Sequence, residues 1–182
     1  ELVGGMEFDL GGVTCRVLST PGHTRDSLSF YFPEIGALFA GADQARQKAL
    51  ATYGDHIGAA FQVVDDLLDF LGNADSTGKT IGNDFVEGKV TLPLLHALSR
   101  ADDEECRTVE KLLQGDRTRP EAYQQLVALI KRQGGFDAAA GAARQLVADA
   151  VQALALFSPS GQAGENVALL RELAEYILAR KK

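Results

Sequence analysis

The chain has 182 residues, 46% of them hydrophobic, which is enough to bury one sizeable core. Its formal net charge is −7, with acids and bases interspersed, and this argues against nucleic acid and anionic membrane surfaces as partners. No apolar run approaches the roughly 18 residues of a membrane-spanning helix, and no basic and then apolar leader opens the chain. The two cysteines, Cys15 and Cys106, match no metal-ligand spacing, so we expect a soluble protein in a reducing, cytoplasmic compartment.

The first 43 residues have the alternation that is typical of β-strands. The stretch EFDLGGVTCRVLST alternates apolar and polar positions across a Gly-Gly turn, and SLSFYF continues the period of two. These patterns predict a short, hairpin-like β segment at the start of the chain, over residues 1–43.

From Ala45 onward the pattern is helical, with apolar residues recurring three and four positions apart. The predicted helices are 45–71, 92–100, 103–114, 119–133, 137–157 and 165–181. Two helix starts have the spacing of a capping box, Asp102 with Glu105 and Thr118 with Glu121. The predicted fold class is therefore mainly α, an antiparallel helical array over residues 44–182.

Three acids interrupt the otherwise apolar helical run FQVVDDLLDF. On a helix, Asp65 and Asp69 lie one turn apart on a shared face, and Asp66 lies on its flank. Carboxylates crowded among apolar residues either become protonated or hold a cation. Oxygen ligands of this kind suit Mg²⁺, which takes one or two carboxylates and completes its shell with water and phosphate. The alternative interpretation is a solvated helix face.

A glycine-rich loop, GNADSTGKTIGNDFVEGKVTLP, follows the three acids over residues 72–93. Its glycines let backbone amides approach an anion, and Lys79 and Lys89 supply point charges for phosphate. The loop lacks the spacing of a P-loop. By itself it is equally compatible with an ordinary surface loop, but its position directly after the acids favours a site for Mg²⁺ and a diphosphate.

Residues 58–98, GAAFQVVDDLLDFLGNADSTGKTIGNDFVEGKVTLPLLHAL, resemble the second aspartate-rich region of the trans polyprenyl diphosphate synthases, and of the octaprenyl diphosphate synthases in particular. The resemblance extends over about residues 38–182. It implies a helical fold of the isoprenoid synthase type, here incomplete.

The resemblance also implies roles for the residues of the acidic helix. Asp65, Asp66 and Asp69 would bind Mg²⁺ that bridges to a diphosphate. Phe61 and Gln62 match the FQ pair that precedes the acids in the family, and we expect them to contact substrate.

Further roles implied by the resemblance fall on the loop. Lys79 and Lys89 match the family's lysines on the allylic diphosphate, and both are expected to take part in catalysis. Asp84, in the GND position, is expected either to support the metal ligands or to cap the loop. In the implied reaction the metal ions and the lysines stabilise the departing pyrophosphate, and the double bond of isopentenyl diphosphate attacks the allylic carbocation. A homodimer is expected.

Nothing in residues 1–44 resembles the family's first aspartate-rich motif. Because catalysis depends on two opposed carboxylate clusters, we expect the chain not to elongate prenyl chains unaided. A non-catalytic helical module that binds diphosphate or dimerises, without turnover, is the alternative.

Residues 5–41 resemble a second family, the metallo-β-lactamase-fold hydrolases. In TPGHT, His23 matches a zinc ligand of that family, whereas Asp43 stands one position later than the family's bridging aspartate. A zinc site normally needs three or four ligands, and the family's HxHxDH cluster is absent, so an ordinary turn residue is the favoured interpretation of His23. We predict a join near residues 36–43, for which a fusion, a recombination and a chimera are all compatible with the sequence. A zinc hydrolase remnant is the third hypothesis.

Overall fold

The computed structural model describes residues 7–9, 14–19, 28–31, 43–71, 82–157 and 161–180. The chain divides into two compact units. The first consists of residues 1–56 and 149–171, and the second of residues 57–148 and 172–182. The predicted boundary between residues 43 and 44 separates a β segment from a helical segment and not two compact units, and it stays a prediction.

The first unit contains a three-stranded antiparallel sheet. Its strands are β1 (Glu7–Asp9), β2 (Thr14–Ser19) and β3 (Leu28–Tyr31), in the order β1-β2-β3. Phe8 lies opposite Cys15, and Val17 lies opposite Phe30. The strands occur where the apolar and polar residues alternate in the sequence.

Helices make up most of the described chain, which confirms the mainly α fold class. They are α1 (Gln44–Leu71), α2 (Asn83–Glu87), α3 (Leu92–Leu98), α4 (Asp103–Gln114), α5 (Pro120–Arg132), α6 (Gly135–Ala153) and α7 (Gly161–Ala179), with a 3₁₀ turn at Leu154–Leu156. The short helix α2 lies in the segment predicted as a loop. None of the described helices combines the length and the apolar character that crossing a bilayer requires.

In the first unit, Tyr53 connects α1 to α7. Its side chain is buried, and its hydroxyl donates a hydrogen bond to the Leu170 carbonyl oxygen at 2.7 Å. Ala49 and Leu154 are buried in the same unit. His56 lies one turn after Thr52, and its Nδ1 is 2.7 Å from the Thr52 carbonyl oxygen, so this histidine is engaged within α1.

The core of the second unit is an apolar cluster contributed by α1 to α5. Its buried members are Phe70, Phe85, Leu94, Ala97, Val109, Leu126, Leu129 and Ile130. The rings of Phe70 and Tyr123 stack with centroids 6.2 Å apart, and the Tyr123 hydroxyl donates to the Phe70 carbonyl oxygen at 3.0 Å. At the start of α6, a Cβ on Gly135 would collide with the Pro93 carbonyl oxygen, so only glycine allows α6 to begin against α3.

The two predicted capping boxes have different outcomes. At α4, Asp102 accepts hydrogen bonds from the backbone amides of Glu104 and Glu105, and the Glu105 carboxylate accepts from the Asp102 amide, so this box is confirmed. At α5 the prediction was wrong, because the N-cap residue is Arg119 and no side chain caps it. The amide and hydroxyl of Thr118 instead both donate to Asp116, which holds Thr118 in the preceding turn.

Candidate functional site

Asp65, Asp66 and Asp69, together called the aspartate site below, lie in the C-terminal part of α1. Val63, Val64 and Phe70 of this helix are buried, and Asp65 is buried with them at 8% exposure. A carboxylate in such a place requires a partner. Arg180, directly after α7, provides it, with 3.1 Å between the Arg180 Nη2 and Asp65 Oδ1 atoms.

Arg180 also contacts the aromatic residue of the FQ pair. Its guanidinium carbon lies 4.1 Å from the centroid of the Phe61 ring, which is the geometry of a cation–π contact. Arg180 could not be predicted from the sequence, because it is 115 positions from Asp65 and resembles any basic residue near a helix end. Its Nη1 atom is buried and has no hydrogen-bond partner among the described residues.

Asp66 is the least compensated acid of the site. Burial raises its pKa to about 6, and the negative charge of Asp84 adds to this increase. The charge of Asp65 contributes in the same direction. A hydrogen bond from the Leu92 backbone amide and the positive charge of Lys89 lower the pKa only in part. A cation beside Asp66 would therefore be favourable.

Asp69 is held by the start of α2. Its carboxylate Oδ2 accepts a hydrogen bond from the Asp84 backbone amide at 3.0 Å, and its carbonyl oxygen accepts one from the Gly82 amide at 3.1 Å. Gly82 has φ of 82°, in the left-handed region, and a Cβ there would collide with the Tyr123 ring. A glycine at this position therefore allows the chain to return from the loop and place Asp84 against Asp69.

Lys89 is the described lysine of the loop, and it already has acidic partners. Its Nζ lies 2.9 Å from Asp84 Oδ1 and 3.0 Å from Glu87 Oε2, and these hydrogen bonds raise its pKa. Lys89 is therefore charged at neutral pH and half-exposed, so a phosphate can reach it. Asp84 joins the acids to the lysine, since its amide binds Asp69 and its carboxylate binds Lys89.

The structure thus divides the aspartate site into two parts. Asp65 engages Arg180, whereas Asp66 and Asp69 engage the segment of residues 82–92. Within the described ranges, no group of three His, Cys, Asp or Glu side chains could hold a metal ion by itself. Two carboxylates nevertheless fit Mg²⁺, because this ion completes its shell with water and substrate phosphate.

The other predicted site residues have separate outcomes. Lys79 and His23 lie outside the described residues. Gln62 is partly buried on α1 beside Phe61. Asp43 accepts hydrogen bonds from the backbone amide and the guanidinium of Arg46, at 2.9 and 2.8 Å, so it is engaged at the start of α1.

Comparison with solved structures shows that the described helices have the helical fold of the isoprenoid synthases. The fold resembles a decaprenyl diphosphate synthase from Rhodobacter capsulatus, with a TM-score of 0.71, 33% identity, and coverage of 82% of this chain and 45% of that chain. It also resembles a polyprenyl synthase from Caulobacter crescentus CB15 complexed with calcium and isoprenyl diphosphate, with a TM-score of 0.70, 36% identity, and coverage of 82% and 44%.

The family follows from the sequence match. The family model for polyprenyl synthetase matches residues 23–130, more than half of the chain, and the chain belongs to this family. The octaprenyl diphosphate synthase of Haemophilus influenzae is 35% identical over 127 residues, which are 70% of this chain and 38% of that protein. The chain therefore spans less than half the length of these relatives. The metallo-β-lactamase resemblance of residues 5–41 stays a prediction.

Proposed function

We propose that this chain supplies the second aspartate-rich side of a polyprenyl diphosphate synthase site. The complete reaction would condense an allylic prenyl diphosphate with isopentenyl diphosphate. The observation that carries the proposal is Asp66, a half-buried carboxylate with a pKa raised to about 6 by burial and by neighbouring acids. It lies in the part of the chain that matches the polyprenyl synthetase family.

The proposed ligands follow from the contacts at the site. Asp66 and Asp69 would hold Mg²⁺, and Asp65 would contribute once it leaves Arg180. When bound, Mg²⁺ would neutralise the charge of the diphosphate leaving group. Lys89 would bind phosphate oxygens beside it, together with Lys79.

The proposed chemistry is ionisation followed by attack. The bond between the allylic carbon and the diphosphate oxygen breaks, and its electron pair leaves with the diphosphate. The positive charge of Lys89, held in place by Asp84, stabilises the departing group because it is positioned before the reaction begins. The double bond of isopentenyl diphosphate then attacks the allylic cation, and the new carbocation loses a proton to the released diphosphate to give the longer prenyl diphosphate. Phe61 and Gln62 would contact the prenyl substrate.

The test is calorimetric titration of a non-ionising farnesyl diphosphate analogue, with and without Mg²⁺. Binding should require Mg²⁺ and weaken at least about tenfold in Asp66→Asn and in Lys89→Ala, because each change removes a charge-assisted contact. Asp55→Asn and Lys48→Ala are matched controls, since both residues are exposed on α1. Unchanged binding in both site variants would overturn the proposal.

A second candidate is binding without turnover. It is favoured by the contacts of Lys89, whose charge is already paired with Asp84 and Glu87 and therefore stabilises a departing diphosphate less than an unpaired lysine would. Incorporation of radiolabelled isopentenyl diphosphate into longer products separates the two candidates. Measurable incorporation by the purified chain alone would exclude the second candidate, binding without turnover.

We also infer a homodimer. The support is an exposed apolar surface on α7, where Leu173 and Tyr176 lie three positions apart and are 49% and 64% exposed. Light scattering should give twice the chain mass, and the double change Leu173→Ser and Tyr176→Ser should shift it to the monomer. Glu172→Ser with Glu175→Ser, at exposed positions of the same helix, is the matched control.

A further inference from the structure

Arg180 forms an ion pair with Asp65, the most buried carboxylate of the aspartate site. The side chain of Asp65 is only 9% exposed and that of Arg180 is 21% exposed, so water screens their ion pair poorly. The Phe61 ring lies against the guanidinium and keeps it beside the carboxylate. A buried carboxylate must have a positive partner, and in this structure the protein itself provides one.

A divalent cation and Arg180 are competitors for Asp65. Two positive charges within a few ångströms of one carboxylate repel each other, and the repulsion is larger where water is excluded. Coupling between two binding events is reciprocal, so the Arg180 contact weakens cation binding at Asp65 by the same factor by which a bound cation weakens the Arg180 contact. The free energy of cation binding is therefore reduced by the cost of displacing Arg180.

The contacts of Arg180 indicate that displacement is possible without unfolding. Arg180 follows the last residue of α7, while the helix itself is anchored by the buried Ala174 and Ile177. One guanidinium nitrogen, Nη1, is buried without a hydrogen-bond partner among the described residues. An unsatisfied buried donor lowers the free energy lost when the side chain leaves.

We propose that Arg180 is an internal counter-ion of the aspartate site, which pairs with Asp65 in the cation-free chain and is displaced when a divalent cation binds. The proposal rests on the proposed function, since it concerns the cation expected at the same acids. The consequence is that binding requires a higher cation concentration than it would without Arg180, because the cation, alone or with a diphosphate, must displace the arginine.

The experiment is direct titration with Mn²⁺, in which the electron paramagnetic resonance signal of free Mn²⁺ reports the bound fraction without any activity assay. Removing one nearby positive charge in Arg180→Gln should tighten Mn²⁺ binding about tenfold. Arg46→Gln removes the same charge from an exposed pair at the other end of α1, and it should bind Mn²⁺ as the unmodified chain does.

Two further variants distinguish charge from packing. Arg180→Lys keeps the positive charge but loses the planar contact with Phe61, so its Mn²⁺ affinity should lie between those of the unmodified chain and Arg180→Gln. Phe61→Leu keeps Arg180 but removes its cation–π contact, so Mn²⁺ should displace the arginine more easily and bind about threefold more tightly. Phe61→Leu also provides a test if Arg180→Gln does not fold, as judged by circular dichroism.

The outcomes separate this inference from the proposed function. Tighter binding in Arg180→Gln and in Phe61→Leu supports the inference. Equal or weaker binding in Arg180→Gln, with Mn²⁺ bound by the unmodified chain, overturns the inference and leaves the proposed cation site intact. Failure of every folded variant to bind Mn²⁺, both alone and with the farnesyl diphosphate analogue present, overturns both.

Discussion

The second unit contains two groups of acids that differ in how they are compensated. At the start of α4, Asp102 and Glu105 satisfy backbone amides, and Glu105 accepts further bonds from Arg132 and Gln133 at 2.6 Å. The bond from Arg132 and the bond from the Asp102 backbone amide lower the pKa of Glu105. At the end of α1, the acids lie among buried residues, and the pKa of Asp66 is raised to about 6.

The difference shows that the role of an acid depends on its partners rather than on its residue type. Asp102 and Glu105 stabilise the fold, because each charge meets a donor where the helix begins. Asp66 lowers the stability of the fold, because its charge is desolvated and lies near other acids. A site that is destabilising until a ligand arrives is a common property of functional regions.

The largest expected effect is at Phe85, which holds α2 in the core. Phe85 is 1% exposed, and truncation in Phe85→Ala should lower the free energy of unfolding by about 3–4 kcal/mol, because it leaves a cavity. The loss should also release Asp84 from Asp69 and reduce the difference between the two acid groups. Chemical denaturation measures the effect. Val86→Ala, at a more exposed position of α2, is the control and should change little.

The second-largest effect on the free energy of unfolding is expected at Gly82. Gly82→Ala places a Cβ at φ of 82° and against the Tyr123 ring, so it should lower the free energy of unfolding by about 1–3 kcal/mol. The same denaturation experiment measures it. Gly58→Ala, where a Cβ meets nothing within 4 Å in the middle of α1, should be neutral or stabilising. Equal effects at the two glycines would contradict the role assigned to Gly82.

Removing the charge of Asp66 should have the opposite sign. In metal-free buffer at pH 8, Asp66→Asn should raise the free energy of unfolding by about 1–2 kcal/mol, a value reduced here for the partial exposure of Asp66. The gain should disappear near pH 4, because the folded carboxylate is protonated below about pH 6, while the unfolded carboxylate has its ordinary pKa of 3.8. Denaturation across this pH range measures both features. A destabilised variant at pH 8 would contradict the assignment.

The smallest effect on stability is expected at Glu105, and it provides a direct comparison between the acids of α4 and those of α1. Glu105→Gln should lower the stability at pH 7, because the carboxylate is favoured in the folded chain by its bonds to Arg132 and to the Asp102 amide. The difference in stability should shrink as the pH falls below 4.5, the ordinary pKa of a glutamate, because the carboxylate then becomes protonated. Its pH dependence is therefore opposite in sign to that of Asp66→Asn, and thermal melts at several pH values would show it.

Local patterns predicted most helices within a few residues. The prediction of 103–114 matches α4, and that of 45–71 differs from α1 by one residue at its start. The capping box of Asp102 was also readable, because it uses residues three positions apart. Helix α2 was missed, since a single turn flanked by glycines depends on the burial of Phe85 in the core and on little within its own sequence.

The candidate site was predictable only in part. The three acids lie on one helix, so their spacing and apolar surroundings are visible in the sequence. Their partners come from elsewhere, since Arg180 is 115 positions from Asp65, and Asp84 is 15 positions from Asp69 across the glycine-rich segment. Spacing cannot reveal such contacts, because they depend on how the helices pack.

The sequence by itself therefore determined the helical class, the acidic helix and the family to which the chain belongs, since each is encoded in periodicity or in adjacent residues. The tertiary structure decided which acids are compensated. It paired Asp65 with Arg180, placed Asp84 between Asp69 and Lys89, and left Asp66 with a raised pKa. The physical reason is that the energy of a charge depends on burial and on nearby charges, and both are properties of the folded chain.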